Sequence, residues 1–105
     1  MKKMEKLRNT SPGEILLEEF LIPLEISQYR LSKDLEIPQT RISEIIKGNR
    51  RISADTAVRL SAYFGNSPKF WLGLQDDYDI ENELKEKWSE VTRITRIRKE
   101  KEDVV

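Results

Sequence analysis

The segment "SQYRLSKDLEIPQTRISEIIKG" at Ser27–Gly48 decides the fold predicted for this chain. Leucines recur one helical turn apart in its first half, and isoleucines recur at three- and four-residue spacing in its second half. Pro38 separates the halves because proline disfavours helical backbone at the residue before it. Gly48 is typical of a helix C-terminus. The segment therefore predicts two short helices joined by a tight turn, which are the proportions of a helix-turn-helix motif.

Further helix signals lie on both sides of this segment. Upstream, "SPGE" at Ser11–Glu14 has the form of a capping box followed by an apolar helix, and Pro23 is expected to end that helix near Ile22. Downstream, Ser53 precedes the helical pattern "ADTAVRLSAYF", and "SP" at Ser67 begins a fifth helix with an apolar stripe. The sequence therefore predicts an all-α fold of five helices.

The domain organisation follows from the absence of any internal repeat or Gly/Ser-rich linker. We predict one helix-turn-helix domain over residues 11–88, preceded by a basic and flexible segment at residues 1–10. Residues 89–105 form a charged C-terminal tail. In that tail Val91 and Ile94 would prolong the last helix, although its β-branched residues would equally suit a short strand.

Composition excludes several classes of function. The chain has 105 residues and contains neither cysteine nor histidine. Disulfides and thiolate metal sites are therefore impossible, and the commonest general base and metal ligand are missing. There is also no glycine-rich phosphate loop, so we expect no enzyme activity, no metal and no cofactor. Neither a signal peptide nor an apolar stretch of membrane-spanning length is recognised, so the expected location is the cytoplasm.

The net charge is zero, but it is unevenly distributed. Residues 27–59 contain seven basic and four acidic side chains, a net charge of +3. Residues 9–26 and residues 60–90 each carry a net charge of −4. The distribution of positive and negative charge along the chain can indicate a binding segment, whereas the net charge of zero cannot. The basic block coincides with the predicted helix-turn-helix segment.

The second helix of this motif enters the major groove with its N-terminal end. Gln39, Thr40 and Arg41 lie in its first turn. Arginine can bind guanine bidentately, glutamine can pair with adenine, and threonine can contact a thymine methyl group. Glu44, on the outward face, would repel phosphate unless it accepts from a cytosine amino group. The geometry therefore predicts base contacts at Gln39, Thr40 and Arg41.

Contacts to the DNA backbone are predicted at both edges of this helix, where donors to phosphate cluster. The predicted residues are Gln28, Arg30, Ser43, Lys47, Asn49, Arg50 and Arg51. The alternative is that these polar side chains form only a solvated surface. From spacing alone, the two interpretations are about equally favoured.

A family resemblance shifts this balance. The stretch "SQYRLSKDLEIPQTRISEIIKGNRRISADTAVRLSAYFG" resembles the phage-repressor-like (Xre) helix-turn-helix family, whose lambda-repressor-like domain has five helices. The flanking "SPGEILLEEFLIPLEIS" and "SPKFWLGLQDDYDI" are similar to the HigA (VapI-type) antitoxins. The resemblance covers about Ser11–Ile80, and the combination of these motifs is highly specific.

The resemblance implies an antitoxin of a type II toxin-antitoxin system. Such a homodimer would bind double-stranded operator DNA, repress its own operon and neutralise HigB, a RelE-like ribonuclease toxin. The base contacts that the resemblance implies in this chain are Gln39, Thr40, Arg41 and Glu44. The implied dimer contacts are Phe70, Trp71, Leu74 and Tyr78, and Trp71 is also a core candidate. Two alternatives stay open: an Xre-type repressor without a toxin, and a helical module that binds only protein.

Three positions depart from the expected pattern. Family members often have glycine where this chain has Glu25 and Glu36. A positive φ at Glu36 would cost about 1 kcal/mol relative to glycine, so a slightly remodelled turn is expected. Gly73 lies inside a predicted helix, and close packing of another backbone is expected to explain it.

Overall fold

The computed structural model describes residues 9–98, and its regular secondary structure is entirely helical. The first helix, α1, consists of α-helical Pro12–Ile15, π-helical Leu16–Leu21 and α-helical Ile22–Leu24. The next helices are α2 (Gln28–Leu35), α3 (Gln39–Ile46), α4 (Ala54–Phe64) and α5 (Pro68–Val91). The predicted all-α, five-helix fold is confirmed. The predictions for residues 1–8 and 99–105 lie outside the described residues.

Serine hydroxyls begin four of these helices. Ser27, Ser53 and Ser67 each accept a hydrogen bond from the backbone N–H three residues further on. At α1 the predicted capping box is complete, because the Ser11 hydroxyl accepts from the Glu14 N–H at 3.3 Å and the Glu14 carboxylate accepts from the Ser11 N–H at 3.0 Å. These bonds satisfy N–H groups that have no partner inside the helix, so the helix starts are set locally.

Helix α1 does not end at Ile22, so the end predicted from Pro23 is wrong. Ile22 has helical angles, φ −65° and ψ −50°, and the helix continues to Leu24. The π-helical stretch Leu16–Leu21 explains the difference, since its wider turn moves the preceding carbonyls away from the proline ring. Proline also has no N–H that would be left without an acceptor.

Glu25 and Glu36 end α1 and α2 in the left-handed region, with φ of 57° and 60°. The turn after α2 is a Schellman motif, in which Ile37 N–H donates to the Ser32 carbonyl at 3.1 Å and Glu36 N–H donates to Lys33 at 3.2 Å. The remodelling expected at Glu36 is therefore wrong. The chain keeps the turn and accepts the backbone strain of a non-glycine residue.

Trp71 lies at the centre of the packed helices. Its side chain is fully buried, and its Nε1 donates to Asn66 Oδ1 at 2.9 Å. The rings of Phe20, Phe64 and Phe70 surround it with centroids 5.0, 6.1 and 5.0 Å away. The other buried apolar residues are Leu16, Leu21, Leu31, Leu35, Ile37, Ile42, Ile45, Ile52, Ala57 and Leu60. One core thus joins all five helices.

Two glycines have opposite surroundings. Gly13, in the first turn of α1, packs on the last turn of α3 so closely that a Cβ would overlap the Ile45 carbonyl and lie 2.8 Å from Ile46 Cα. At Gly73, a Cβ would have no neighbour within 4 Å. The close backbone packing expected at Gly73 is therefore wrong within this chain, and Gly13 is the position where it occurs.

The second half of α5 projects beyond the core. Ile80, Leu84, Trp88 and Val91 are all exposed there. The helix ends at Val91, and residues 92–98 form no strand. Of the two structures predicted for this part of the tail, helix or strand, the helix is found up to Val91. Among the described residues, no helix combines the length and the apolar character that a membrane span requires.

Candidate nucleic-acid interface

Helices α2 and α3 are joined by the turn Glu36–Pro38, and Ile37 of this turn is buried. Helix α3 directs Ile42 and Ile45 into the core, as the periodicity predicts. The opposite side of α3 therefore faces solvent. The rest of the candidate interface is built on this outward side and on the loop after it.

The leading turn of α3 contains the predicted base contacts. Gln39 and Thr40 are exposed and form no side-chain hydrogen bond within the described part of the chain. Arg41 differs, because its Nη1 donates to Asp55 Oδ2 at 2.8 Å and its side chain is only 26% exposed. Arg41 thus lies against the start of α4. It would reach a base only by sharing or releasing the carboxylate of Asp55.

Asp55 is held by two arginines. Besides Arg41, Arg59 donates from Nε to Asp55 Oδ1 at 3.1 Å. The hydrogen bond from Arg41, followed by that from Arg59, keeps the pKa of the Asp55 carboxyl below 3.8. Arg59 also donates from Nη1 to the Leu35 carbonyl at 2.7 Å, which ties α4 to the end of α2. The carboxylate is therefore ionised at neutral pH and offsets part of the charge near the leading turn.

Glu44 and Arg50 form one ion pair on the outward side of α3. Arg50 Nε donates to Glu44 Oε1 at 2.9 Å, and about half of each side chain is exposed. The charge of Glu44, which by itself would repel phosphate, is thus balanced by a residue of the following loop. Glu44 was predicted to contact a base and Arg50 the DNA backbone, and the structure brings the two side chains together.

Arg51 is held by helix α5. Its Nε and Nη2 donate to Asp79 Oδ2 at 2.9 and 2.6 Å. Asp79 Oδ1 accepts from Gln75 Nε2 at 3.0 Å, and Gln75 Oε1 accepts from the buried backbone N–H of Ile52 at 2.7 Å. Gln75 and Asp79 are not among the site residues predicted from the sequence. They lie 23 and 28 residues from their partners, and no local pattern indicates such a pairing.

The remaining predicted backbone-contact residues lie at the start of α2 and along the end of α3. Arg30 is exposed and pairs with Asp34 one turn later, with an N–O distance of 3.3 Å. The others are partly or fully exposed: Gln28, Ser43, Lys47 and Asn49. In the described residues, each predicted arginine contact is therefore paired with a carboxylate of the same chain.

Comparison with known proteins identifies the family. The helix-turn-helix family HTH_3 matches residues 17–71, more than half of the chain. Virulence-associated protein I of Dichelobacter nodosus is 45% identical over 78 residues, which cover 74% of this chain and 72% of that protein. An addiction module antidote protein of the HigA family from Coxiella burnetii is 43% identical. Its structure superimposes with a TM-score of 0.81, covering 87% of this chain and 99% of that one.

The chain belongs to the HigA-type antitoxins. One of the similar structures contains DNA: Pseudomonas aeruginosa antitoxin HigA, solved with the higBA promoter, is 34% identical to this chain and superimposes on it with a TM-score of 0.81. The match covers 85% of this chain and 97% of that one. This antitoxin is accordingly a DNA-binding regulator of the helix-turn-helix family and not an enzyme.

The residues predicted to form a dimer differ in how much surface they offer. Phe70 is 40% exposed, whereas Trp71 is fully buried inside its own chain. Leu74 and Tyr78 are half-buried, and the Tyr78 carbonyl accepts a hydrogen bond from Asn9 Nδ2 at 2.8 Å. Trp71 therefore has no surface left to offer a partner subunit. Asn9, which belongs to the segment predicted to be flexible, is thus bonded to α5.

Proposed function

We propose that this antitoxin binds the operator of its own operon with α3 in the major groove and thereby represses transcription. The observation that carries the proposal is the exposed leading turn of α3, where Gln39 and Thr40 can meet base edges. Arg41 and Glu44 are conditional base contacts, since Arg41 is paired with Asp55 of α4 and Glu44 with Arg50 of the following loop. The complex of Pseudomonas aeruginosa HigA with its promoter supports the same use of the fold here.

The DNA backbone would be held at the two edges of α3. The proposed contacts are Gln28, Arg30, Ser43, Lys47, Asn49, Arg50 and Arg51. Since the arginines among them already pair with carboxylates, each phosphate would have to share or replace an internal partner. These contacts supply affinity and register without reading sequence.

A mobility-shift titration with the operator and with a random duplex tests the readout. Arg41→Ala and Gln39→Ala should each weaken operator binding by about 1–3 kcal/mol and relax the preference at one base pair. The random duplex serves as the control, because it should lose much less affinity. Unchanged affinity and unchanged preference on the operator in both variants would refute the placement of α3.

We also propose that the antitoxin acts as a homodimer joined through α5. A dimer would place two copies of α3 about 34 Å apart, one turn of DNA, to read a palindromic operator. The exposed apolar side chains that could pair are Ile80, Leu84 and Trp88, together with Phe70 near the start of the helix. The contact would thus extend well beyond the region indicated by the resemblance.

Sedimentation analysis tests the dimer. Leu84→Asp would bury a charge in the proposed contact and should shift the protein to a monomer at micromolar concentration. Lys85→Asp, on the neighbouring exposed position, is the matched control and should leave the mass unchanged. A Leu84→Asp variant that sediments as the wild type does would exclude this contact.

The second activity proposed is neutralisation of a HigB-like ribonuclease toxin in the cytoplasm. Its support is membership of the HigA-type antitoxins, in which this chain shares fold and motifs with named relatives. Co-expression with the neighbouring small open reading frame, followed by co-purification and a growth-rescue assay, tests it directly. Failure of both, with operator binding intact, would leave the alternative of an Xre-type repressor without a cognate toxin.

A further inference from the structure

We propose that Gln75 and Asp79 of α5 are positioning residues that hold the Arg51 guanidinium ready for a DNA phosphate. The last helix would then take part in DNA binding without touching the DNA. The inference rests on the proposed operator binding.

The side-chain amide of Gln75 has a fixed orientation. This side chain is 4% exposed, and both atoms of its amide are engaged. Its oxygen must face the Ile52 N–H, because that buried donor would otherwise have no acceptor. Its nitrogen is then directed at Asp79, and the 3.0 Å bond restrains one oxygen of that carboxylate.

Asp79 in turn holds the Arg51 guanidinium. The other carboxylate oxygen of Asp79 accepts from both Nε and Nη2, at 2.9 and 2.6 Å. Arginine has five N–H donors, so this arrangement leaves the outer edge of the guanidinium available. The Arg51 side chain is 63% exposed. An exposed guanidinium with a free edge can bind phosphate bidentately while its inner edge stays anchored.

Asp79 has two opposing effects on the binding of a phosphate by Arg51. A free arginine loses rotamer entropy when it binds, whereas an anchored one has already lost most of it. The negative charge of Asp79, in contrast, repels the phosphate. That repulsion acts between two anions on opposite edges of one guanidinium, and the positive charge of Arg51 attracts both of them. We therefore expect anchoring to dominate while Arg51 is present, and only repulsion to act when Arg51 is absent.

A double-mutant cycle separates these effects. Full-length wild type, Asp79→Asn, Arg51→Ala and the double variant are titrated with fluorescent operator and random duplexes over a series of salt concentrations. Arg51→Ala should weaken binding to both duplexes alike and lower the salt slope by about one. Asp79→Asn should weaken binding about 3- to 10-fold in the wild-type background. In the Arg51→Ala background the same change should leave affinity unchanged or raise it.

Two further variants control the experiment. Asp77→Asn removes the same charge from an exposed position of α5 and should cause no weakening. Asp79→Glu keeps the carboxylate and should retain most of the affinity. If Asp79→Asn loses affinity while Asp79→Glu keeps it, the loss comes from the missing carboxylate and not from a failure to fold. Tighter binding by Asp79→Asn in the wild-type background would overturn the proposal, because Asp79 would then compete with phosphate. Equal weakening in both backgrounds would also overturn it, since that pattern indicates general structural damage.

The cycle distinguishes this inference from the proposed function. If wild-type protein binds neither duplex, operator binding itself is wrong. If wild type binds the operator and Arg51→Ala lowers the salt slope, but Asp79→Asn has no effect, operator binding stands and only the positioning role fails.

Discussion

Replacing Gly13 by alanine tests how α1 supports the recognition helix α3. The added Cβ would overlap the Ile45 carbonyl oxygen and lie 2.6 Å from the Ile45 carbonyl carbon and 2.8 Å from Ile46 Cα. These are backbone atoms in the last turn of α3 and its end, so no side-chain rotation can relieve the contact. The first turn of α1 must therefore move away from α3.

The size of the effect follows from this geometry. Overpacking a well-packed site costs about 1–3 kcal/mol, and a contact with backbone atoms belongs at the upper end of that range. Displacing α1 also loosens the burial of Leu16, which is complete in this structure. We expect Gly13→Ala to lower the free energy of unfolding by about 3 kcal/mol, or the melting temperature by roughly 10–20 °C.

Gly73→Ala is the matched control, since the same methyl group meets no atom within 4 Å. In the interior of α5 it should raise the free energy of unfolding by about 0.5–1 kcal/mol, through the helix propensity of alanine. Urea denaturation followed by circular dichroism measures both variants. Equal effects at Gly13 and Gly73, or a stabilised Gly13→Ala, would refute the close contact between α1 and α3.

Two other predictions concern backbone strain and pH. Glu36→Gly should raise the free energy of unfolding by about 0.5–1 kcal/mol, because glycine adopts φ 60° without the left-handed penalty. The greater freedom of glycine in the unfolded chain offsets part of this gain. A lower melting temperature of the variant would contradict the backbone strain at Glu36. The pKa of Asp55 is depressed in the folded state, so its ion pairs stabilise the protein above the unfolded pKa and are lost as pH falls through the folded value. Stability measured against pH should therefore fall less steeply below about pH 4 in Asp55→Asn, and an unchanged acid limb would contradict this assignment.

The fold was predictable because its signals are local. Serine caps such as Ser27 and Ser53 satisfy N–H groups within one turn, and their effect does not depend on distant residues. The same holds for the spacing of Ile42 and Ile45, which assigns one face of α3 to the core wherever that core lies. Family motifs then added a function that periodicity alone could not separate from a solvated surface.

The predictions that failed involve effects that are absent from a local pattern. Pro23 stays helical because the preceding turn is π-helical, and Glu36 keeps a positive φ because the Schellman bonds and the burial of Ile37 favour that turn. The prediction that close backbone packing explains Gly73 failed because no atom from another part of the chain lies within 4 Å of the position that a Cβ would take. Each outcome depends on how the helices meet.

The sequence by itself determined the helices, their inward faces and the helix-turn-helix motif, since caps and periodicity act over three or four residues. Only the tertiary structure decided which carboxylates Arg41 and Arg51 pair with. Arg41 forms an ion pair with Asp55 on α4, and Arg51 forms one with Asp79 on α5. Ion pairs of this kind depend on distances across the packed helices, so they appear only once the core has brought α3, α4 and α5 together.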